Sequence, residues 1–438
     1  MYVNLADAKR WTLLPGPAAP VLSNAITLRS SAHFGALCQS LGEEIGEQRP
    51  VINLCENRLM FALGFCATLF AGGTNLLPQN RQRETLATLQ QRFPNALTLI
   101  DGGSTRELSE DLSLLDLHDF LADAPQDREA LLSVDLEQLA ARVYTSGSTG
   151  QPKEILKPWK TLIGTAQMLA RRFELASWPG PILATVPSQH MYGLEMTLLL
   201  ALASGCPVLD VHPFFPADIA RHLRATPGSS LVTTPFHLKS LLDSGIRELL
   251  IPNIVCATAP LAIDLARRAE EVFGARVMEI YGCSEAGSVA TRRPTHSENW
   301  VLLDGFHFDR QQHNALRGDH LDNPVTLEDQ IEVFDNGEFR LLGRSSEMLN
   351  VGGKRSSLSE ITARLLALEG VSDAAVFTPG DSERPAAIVV GTISPKQIAS
   401  ALAAHLDPVF IPRPIKIVEK IPRNATGKPL KRDLEECL

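Results

Sequence analysis

For most of its length the chain alternates short apolar runs with amphipathic stretches. Residues 51–55, Val-Ile-Asn-Leu-Cys, have the length and composition of a buried strand, and 58–72 follow as a helix stopped by the Gly72-Gly73 pair. Residues 76–100 repeat the pattern of strand, polar helix and strand. Residues 103–135 are acidic and polar with weak periodicity, and read as a connecting excursion. Strands are then predicted at 182–186, 208–211, 231–233, 254–256 and 277–280, with helices between them, one of them over 194–203 and ending at Gly205. Strands separated by helices predict parallel sheets covered on both faces.

The texture changes between 300 and 344. Residues 331–334 and 339–342 alternate apolar and polar around Asp335-Asn-Gly337, which predicts a β-hairpin. After Gly343-Arg344 a fresh unit begins, with a helix predicted near 359–369, strands at 373–377 and 386–393, a helix at 395–406 and a basic tail. The boundary is expected at 343–346, giving a large domain over 1–343 and a small one over 344–438. The fold class is α/β: parallel sheets between helices with a hairpin region, then a small, mobile α+β domain.

Composition narrows this only a little. With 44% hydrophobic and 21% charged residues the chain is ordinary globular material. A net charge of −9 argues against non-specific nucleic-acid binding, which needs clustered Lys and Arg. The seven cysteines lie scattered, no pair at metal-ligand spacing, and the odd count speaks against a disulfide framework. A reducing cytoplasm is the expected setting. The start of the chain lacks the basic residues and apolar run of a signal peptide, and the longest apolar stretch, 59–71, is too short to span a membrane.

The stretch that stands out chemically is Tyr144-Thr-Ser-Gly-Ser-Thr-Gly-Gln-Pro-Lys153. Glycines let successive backbone N–H groups turn inward as an anion nest, hydroxyls add donors and the lysine adds charge, so the loop suits a polyphosphate. A plain polar turn is the alternative. It is not a Walker loop, which leads Gly-Lys-Ser/Thr into a helix. Val186-Pro-Ser-Gln-His-Met-Tyr-Gly193 lies where a strand gives way to a helix, the edge at which open α/β sheets bind ligands, although a lone His190 there is more often structural. Tyr281-Gly-Cys-Ser-Glu285 follows another apolar strand and offers an aromatic face, a hydroxyl and a carboxylate able to hold Mg²⁺, or else merely solvated as a loop acid. Asp329 and Arg344 flank the hairpin as an acceptor and a guanidinium fork, a pair that would suit a ribose diol or be merely solvated. Ile421-Pro-Arg-Asn-Ala-Thr-Gly-Lys428 places a lysine in a loop that another domain could use, or forms part of a basic tail.

Taken in order, these stretches resemble the adenylate-forming superfamily of acyl- and aryl-CoA ligases, acyl carrier protein ligases, luciferases and peptide-synthetase adenylation domains. The resemblance runs from about residue 141 to the C-terminus. It implies that Thr145, Ser146, Gly147, Ser148, Thr149, Gly150 and Lys153 form the phosphate loop. It implies that Tyr281, Gly282 and Ser284 belong to the nucleotide site, with Glu285 on Mg²⁺ and catalytic. Cys256-Ala-Thr-Ala-Pro-Leu261 matches a turn lying against adenine and acid, so that Ala259 faces the nucleotide, and Ala257, His190 and Cys283 face the acid. Asp329 and Arg344 take the ribose and hinge-side positions, and Lys428 takes that of the catalytic lysine. The chain departs from the pattern where Leu327-Glu328 replace Thr-Gly, where Ser346 replaces the hinge acid, and where Glu154 replaces a glycine.

The resemblance implies two half-reactions: ATP and a carboxylic acid give an acyl-adenylate and pyrophosphate, and a phosphopantetheine thiol, on CoA or a carrier protein, then displaces AMP. A hinge near Arg344–Ser346 would rotate the small domain and present Val351-Gly-Gly-Lys354. With no acid between Ser188 and Leu194, a non-amino substrate, aryl or fatty, is expected, and an acyl carrier protein is favoured over CoA. The alternatives are a non-catalytic adenylate-binding regulatory protein and an amino-acid-activating enzyme.

Overall fold

The computed structural model of the 438-residue chain describes residues 10–12, 31–78, 80–102, 112–123, 133–146, 152–309, 314–344, 348–351, 354–380, 382, 384–403, 406–423 and 429–438. Two sheets dominate. The first has six strands in the order Ser113–Asp116, Leu97–Ile100, Val51–Asn53, Asn75–Leu77, Leu139–Ser146 and Pro152–Pro158. Its pairs are parallel except the last, where the chain turns straight back. The second has eight strands. Ile182–Ala184, Ser230–Thr233, Asn253–Cys256 and Arg276–Cys283 run parallel, and from Arg276–Cys283 outward every pair is antiparallel, through Gly287–Arg292, Trp300–Leu302, Glu338–Arg344 and Asp329–Val333.

Two helical segments are buried over most of their length because their faces meet different cores. In the helix Trp159–Arg172, Trp159, Leu162 and Ile163 enter the core of the first sheet, and Met168 and Leu169 that of the second. The segment from Met191 to Ser204 repeats this, with Leu194, Leu198 and Leu199 facing one way and Tyr192, Met196 and Leu200 the other. Its middle turn, Glu195–Leu199, is a π-helix, a form that recurs at functional sites. The helix Arg58–Phe70 is buried along most of its length and is capped by Asn57, whose Oδ1 accepts from Leu59 N at 2.9 Å and Met60 N at 3.1 Å.

The C-terminal residues build their own three-stranded sheet of Val371–Phe377, Ala386–Gly391 and Ile415–Ile417. Helices Leu358–Leu366 and Pro395–Ala403 cover it around Ile361, Leu365, Ile398 and Leu402. The tail adds a short helix, Lys431–Glu436, that buries Leu434.

Several expectations are corrected. Half of the larger sheet is antiparallel, because the predicted strand at 277–280 extends to Cys283 and hairpins back. Residues 208–211 make only an isolated bridge, Ile182 to Val208, and the helix predicted from 194 already begins at Met191. The excursion holds the edge strand Ser113–Asp116, the helix Leu117–Asp123 and the strand Ser133–Asp135, which pairs with Arg10–Thr12. Strands at a sheet edge need apolar residues on few positions, so their periodicity is weak. The hairpin around Asp335-Asn-Gly337 forms as expected, with Ile331 opposite Leu341. Among the described residues no helix is long and apolar enough to cross a membrane.

The approach of the Met191–Leu194 helix to the 187–190 turn depends on Gly193, where a Cβ would lie 1.9 Å from the Pro187 carbonyl oxygen. Gly193→Ala is therefore expected to destabilise: overpacking against backbone, at ~1–3 kcal/mol, outweighs the gain in helix propensity of up to ~1 kcal/mol. A lowered Tm and denaturation midpoint check this, and unchanged values would refute it.

Candidate active site

The two polar motifs stand at the ends of two antiparallel strand pairs, one in each sheet. In the first, Leu139–Ser146 and Pro152–Pro158 pair with Thr145 opposite Lys153 and Ser146 opposite Pro152. Gly147, Ser148, Thr149 and Gly150 lie outside the described residues. The hairpin is stapled just below its tip by Glu154, which the sequence showed only as a departure from the family. Glu154 Oε2 pairs with Arg92 Nη2 at 2.5 Å, and Oε1 accepts from Arg142 Nη1 and from the Tyr144 hydroxyl, each at 3.0 Å. Burial pushes the Glu154 carboxyl up, and the hydrogen bonds from Arg142, Tyr144 and Arg92 with the Arg142 charge more than offset it, leaving the group below the ordinary carboxylate value.

In the second hairpin Arg276–Cys283 pairs with Gly287–Arg292, Gly282 opposite Ser288 and Cys283 opposite Gly287, so Ser284, Glu285 and Ala286 form the tip. The tips meet: Lys153 Nζ lies 2.5 Å from Glu285 Oε1. Partial burial raises the Glu285 carboxyl, and the Lys153 hydrogen bond, a backbone hydrogen bond and two lysine charges bring it below its ordinary value, so it is ionised at neutral pH. Cys283 is pushed up to about 11, chiefly by burial, and its Sγ accepts from Ala286 N at 3.4 Å, which makes it a packing group rather than a nucleophile.

Tyr281 and Asp329, assigned separately from sequence, are joined by a 2.6 Å hydrogen bond from the phenol to Oδ2. The Tyr281 ring stands 5.6 Å from Trp300 and 6.0 Å from Phe339. Asp329 and Arg344, expected to flank the hairpin, are opposite each other in its register.

The third wall comes from the 187–192 and 256–261 turns. His190 is the N-cap of its helix, and burial lowers its imidazole below the ordinary value, so it is neutral at pH 7. Ser188 is held by Arg58, a buried guanidinium absent from the sequence reading. Arg58 donates to the carbonyls of Ala184 and Val186 at 2.7 Å, to that of Val211 at 3.0 Å and to Ser188 Oγ at 2.9 Å. In the other turn Ala257 is buried and Ala259 exposed, with Thr258 between them in the left-handed region at φ 80°. Such strain in a β-branched residue persists only where its surroundings enforce it. Here Glu279, paired with Arg292 at 2.7 Å, accepts the Leu261 N–H at 2.7 Å and holds the turn.

Two further buried charges border the site and were also missed. Lys157, fully buried, donates to the Glu285 carbonyl at 2.6 Å. Glu195 accepts from Ser288 N and Oγ. Each interrupts an apolar run, which was the signal available in the sequence. Lys428 lies outside the described residues.

Among the described residues no group of three or more His, Cys, Asp or Glu could hold a metal ion. A single ionised carboxylate on a half-exposed hairpin tip nevertheless fits Mg²⁺, which commonly takes one or two protein carboxylates and completes its shell with water and substrate phosphates.

Two family models match the chain: "AMP-binding enzyme" over 31–305, which takes in both strand pairs and the 187–192 and 256–261 turns but not Asp329 or Arg344, and "AMP-binding enzyme C-terminal domain" over 360–428. Among curated relatives, a 4-coumarate–CoA ligase of Halorhodospira halophila is 29% identical over 325 residues, covering 72% of this chain and 78% of the relative. A 3,4-dihydroxybenzoate–[aryl-carrier protein] ligase of Bacillus anthracis is 26% identical over 374 residues, covering 82% and 84%. An O-succinylbenzoate coenzyme A synthetase from Bacillus subtilis, solved with AMP, superposes with a TM-score of 0.82 at 19% identity, covering 97% of this chain and 98% of that one, a likeness of fold.

The staple predicts a pH-dependent effect. Because the native Glu154 carboxyl lies below its unfolded value, its contribution is complete above the unfolded pKa of about 4.3 and is lost as pH falls through the native value. Glu154→Gln is expected to cost about 1–2 kcal/mol at pH 7 and far less in acid. Urea unfolding at several pH values reads this out, and a pH-independent difference would contradict it.

Proposed function

The chain belongs to the AMP-binding enzyme family, and from that premise we propose that it activates an aryl carboxylic acid with ATP and transfers the acyl group to a phosphopantetheine thiol, that of a carrier protein. It is an AMP-forming acid–thiol ligase. The observation that carries the reading is the Lys153–Glu285 contact, which sets the tip of a glycine-rich hairpin against a carboxylate-bearing one, with the Tyr281–Asp329 pair on a strand of the same sheet.

In the first half-reaction an oxygen of the substrate carboxylate attacks the α-phosphorus of ATP, the bond to the bridging oxygen breaks, and pyrophosphate leaves. Placement and charge stabilisation supply most of the catalysis. The hairpin from Thr145 to Lys153 holds the leaving phosphates through backbone N–H groups, hydroxyls and the lysine. Tyr281 and Ala259 bound the adenine, Asp329 takes the ribose hydroxyls, and Arg344 stands beside them. Glu285 holds Mg²⁺, which supplies neutralisation of the triphosphate charge. Lys428 comes from the C-terminal domain, 344–438 on this reading, and bridges carboxylate and α-phosphate. In the second half-reaction the thiol sulfur attacks the acyl carbon, its proton passes to solvent, and AMP leaves. Rotation near Arg344–Ser346 separates the two steps.

The acid lies among His190, Ala257 and Cys283. Two things favour an aryl acid without an amino group. The nearby acid Glu195 is only 2% exposed and occupied by Ser288, so it does not receive an ammonium. Similar enzymes are named for hydroxylated aryl acids, 4-coumarate and 3,4-dihydroxybenzoate. The carrier-protein acceptor is supported by the aryl-carrier protein ligase, whose match spans 82% of the chain, and CoA by the 4-coumarate–CoA ligases.

ATP–pyrophosphate exchange across a panel of aryl, fatty and amino acids tests the reading. Aryl-acid-dependent exchange is expected, reduced at least ~100-fold in Lys428→Ala, the scale of losing one charge-stabilising group. No exchange with any acid overturns it, and exchange with amino acids alone revives the amino-acid activator. Holo-carrier protein and CoA offered together, with mass spectrometry of both, decide the acceptor.

A further inference from the structure

Lys157 and Glu195 come from different elements and grip different backbone groups of the Glu285 hairpin. Lys157 is on the strand Pro152–Pro158, two pleats beyond Lys153, and so on the same face, since strand side chains alternate. Lys153 reaches the Glu285 carboxylate and Lys157 the carbonyl of the same residue. Glu195, in the π-helical turn, takes the N–H of Ser288 through both carboxylate oxygens at 3.2 Å, and the Ser288 hydroxyl as well. Gly287, between the two grips, has φ 80°, and a Cβ there would lie 2.3 Å from Glu195 Oε1, so the carboxylate is packed directly on the hairpin backbone.

Both charges are buried, Lys157 at 0% and Glu195 at 2% exposure, and a buried charge costs stability unless its surroundings compensate it. Burial lowers the Lys157 amine and raises the Glu195 carboxyl, and each charge opposes the shift of the other. The Glu285 carbonyl and the Ser288 N–H, on either side of Gly287, are thus each held by a buried charged side chain.

We propose that Lys157 and Glu195 are positioning residues that lock the Glu285–Ser288 turn, so that the Glu285 carboxylate is pre-aimed at the metal of the metal–nucleotide substrate. The inference rests on the assignment of Glu285 to Mg²⁺ under the proposed function. The lock links the phosphate hairpin to the metal hairpin through a single strand, which carries a phosphate lysine at one end and a backbone-holding lysine farther along.

The test is a Mg²⁺ titration of the full chain and of its Lys157→Met, Glu195→Gln and Glu285→Gln variants, read two ways. One is acid-dependent ATP–pyrophosphate exchange, and the other is calorimetric binding of α,β-methylene ATP, which is not turned over. Removing a residue that orients a metal ligand typically weakens the metal ~10–100-fold, so Lys157→Met is expected to raise the Mg²⁺ requirement ~10-fold or more in both readouts. The KM for the acid and nucleotide binding without Mg²⁺ stay within ~2-fold, since those contacts are elsewhere. A merely structural role would instead shift all of these together, and that result overturns the proposal. So does a folded Lys157→Met with the wild-type Mg²⁺ requirement. If Lys157→Met does not fold, Glu195→Gln, which keeps shape and an acceptor oxygen, decides in the same way. Glu285→Gln separates the two readings: an altered Mg²⁺ requirement there with none in the positioning variants removes only the lock, whereas no change in Glu285→Gln removes the metal assignment and the lock with it.

Discussion

The strand Pro152–Pro158 runs without a break into the helix Trp159–Arg172, and the geometry of the site depends on that junction. The strand belongs to the six-stranded sheet, whereas the helix it feeds packs into both cores. Pro158, the residue before the helix, offers no side-chain cap. The first helical amides are satisfied instead by the carbonyls of Gln138 and Leu136, each bond 2.8 Å, so the helix starts where the preceding hairpin allows. Trp159, wholly buried at the first turn, anchors the junction in the core of the first sheet, and Met168 and Leu169 farther along the helix anchor it in the core of the second. Lys153 and Lys157 are carried to the other hairpin by this constraint, and the two tips meet although they belong to different sheets.

The contact of the tips also suits them to exchange partners. A lysine and a carboxylate 2.5 Å apart on the partly exposed rim neutralise each other, and each is ionised and already oriented. On the proposed function the arriving triphosphate takes the lysine and its metal takes the carboxylate, so the charges are re-paired rather than stripped of partners. A chain of net charge −9 can in this way receive a polyanion, because the local field at the tips is set by two lysines from one strand and not by the whole surface.

The sequence made the chemistry more legible than the topology. Motifs at Tyr144–Lys153 and Tyr281–Glu285 were visible because glycines, hydroxyls and charges cluster where backbone must approach a ligand. Their being hairpin tips was not, since Tyr281-Gly-Cys283 has the composition of a loop yet forms the end of a strand paired to Gly287–Arg292. Tertiary pairing, not local propensity, decides such residues. Residues 208–211 show the converse: apolar and strand-like, they make only one bridge, to Ile182. Lys157, Glu195, Arg58 and Glu154 escaped for a common reason. A charged residue in or beside apolar positions announces that it has a partner but not which one: Glu285, Ser288, the 184–186 carbonyls and Arg92 lie 62 to 128 positions away, and only Glu154 also has partners close in sequence, Arg142 and Tyr144 on the paired strand.

On the proposed function, those same buried charges bear on what the acid pocket can select. Arg58 directs its donors at backbone carbonyls and at Ser188, so although charged it offers no fork to a second carboxylate on the substrate. Glu195 is held by Ser288. The histidines packed beyond the strand ends are kept neutral by burial, His212 and His237 at about 4 and His190 below its ordinary value. The Tyr192 hydroxyl is occupied by the Val255 carbonyl at 2.7 Å. A charged substituent on the acid would therefore be desolvated without an ion to pair with, at a cost that a neutral ring escapes. On the proposed function, discrimination would rest on shape and on a few neutral imidazoles, the chemistry by which an uncharged aryl group is distinguished from an amino acid.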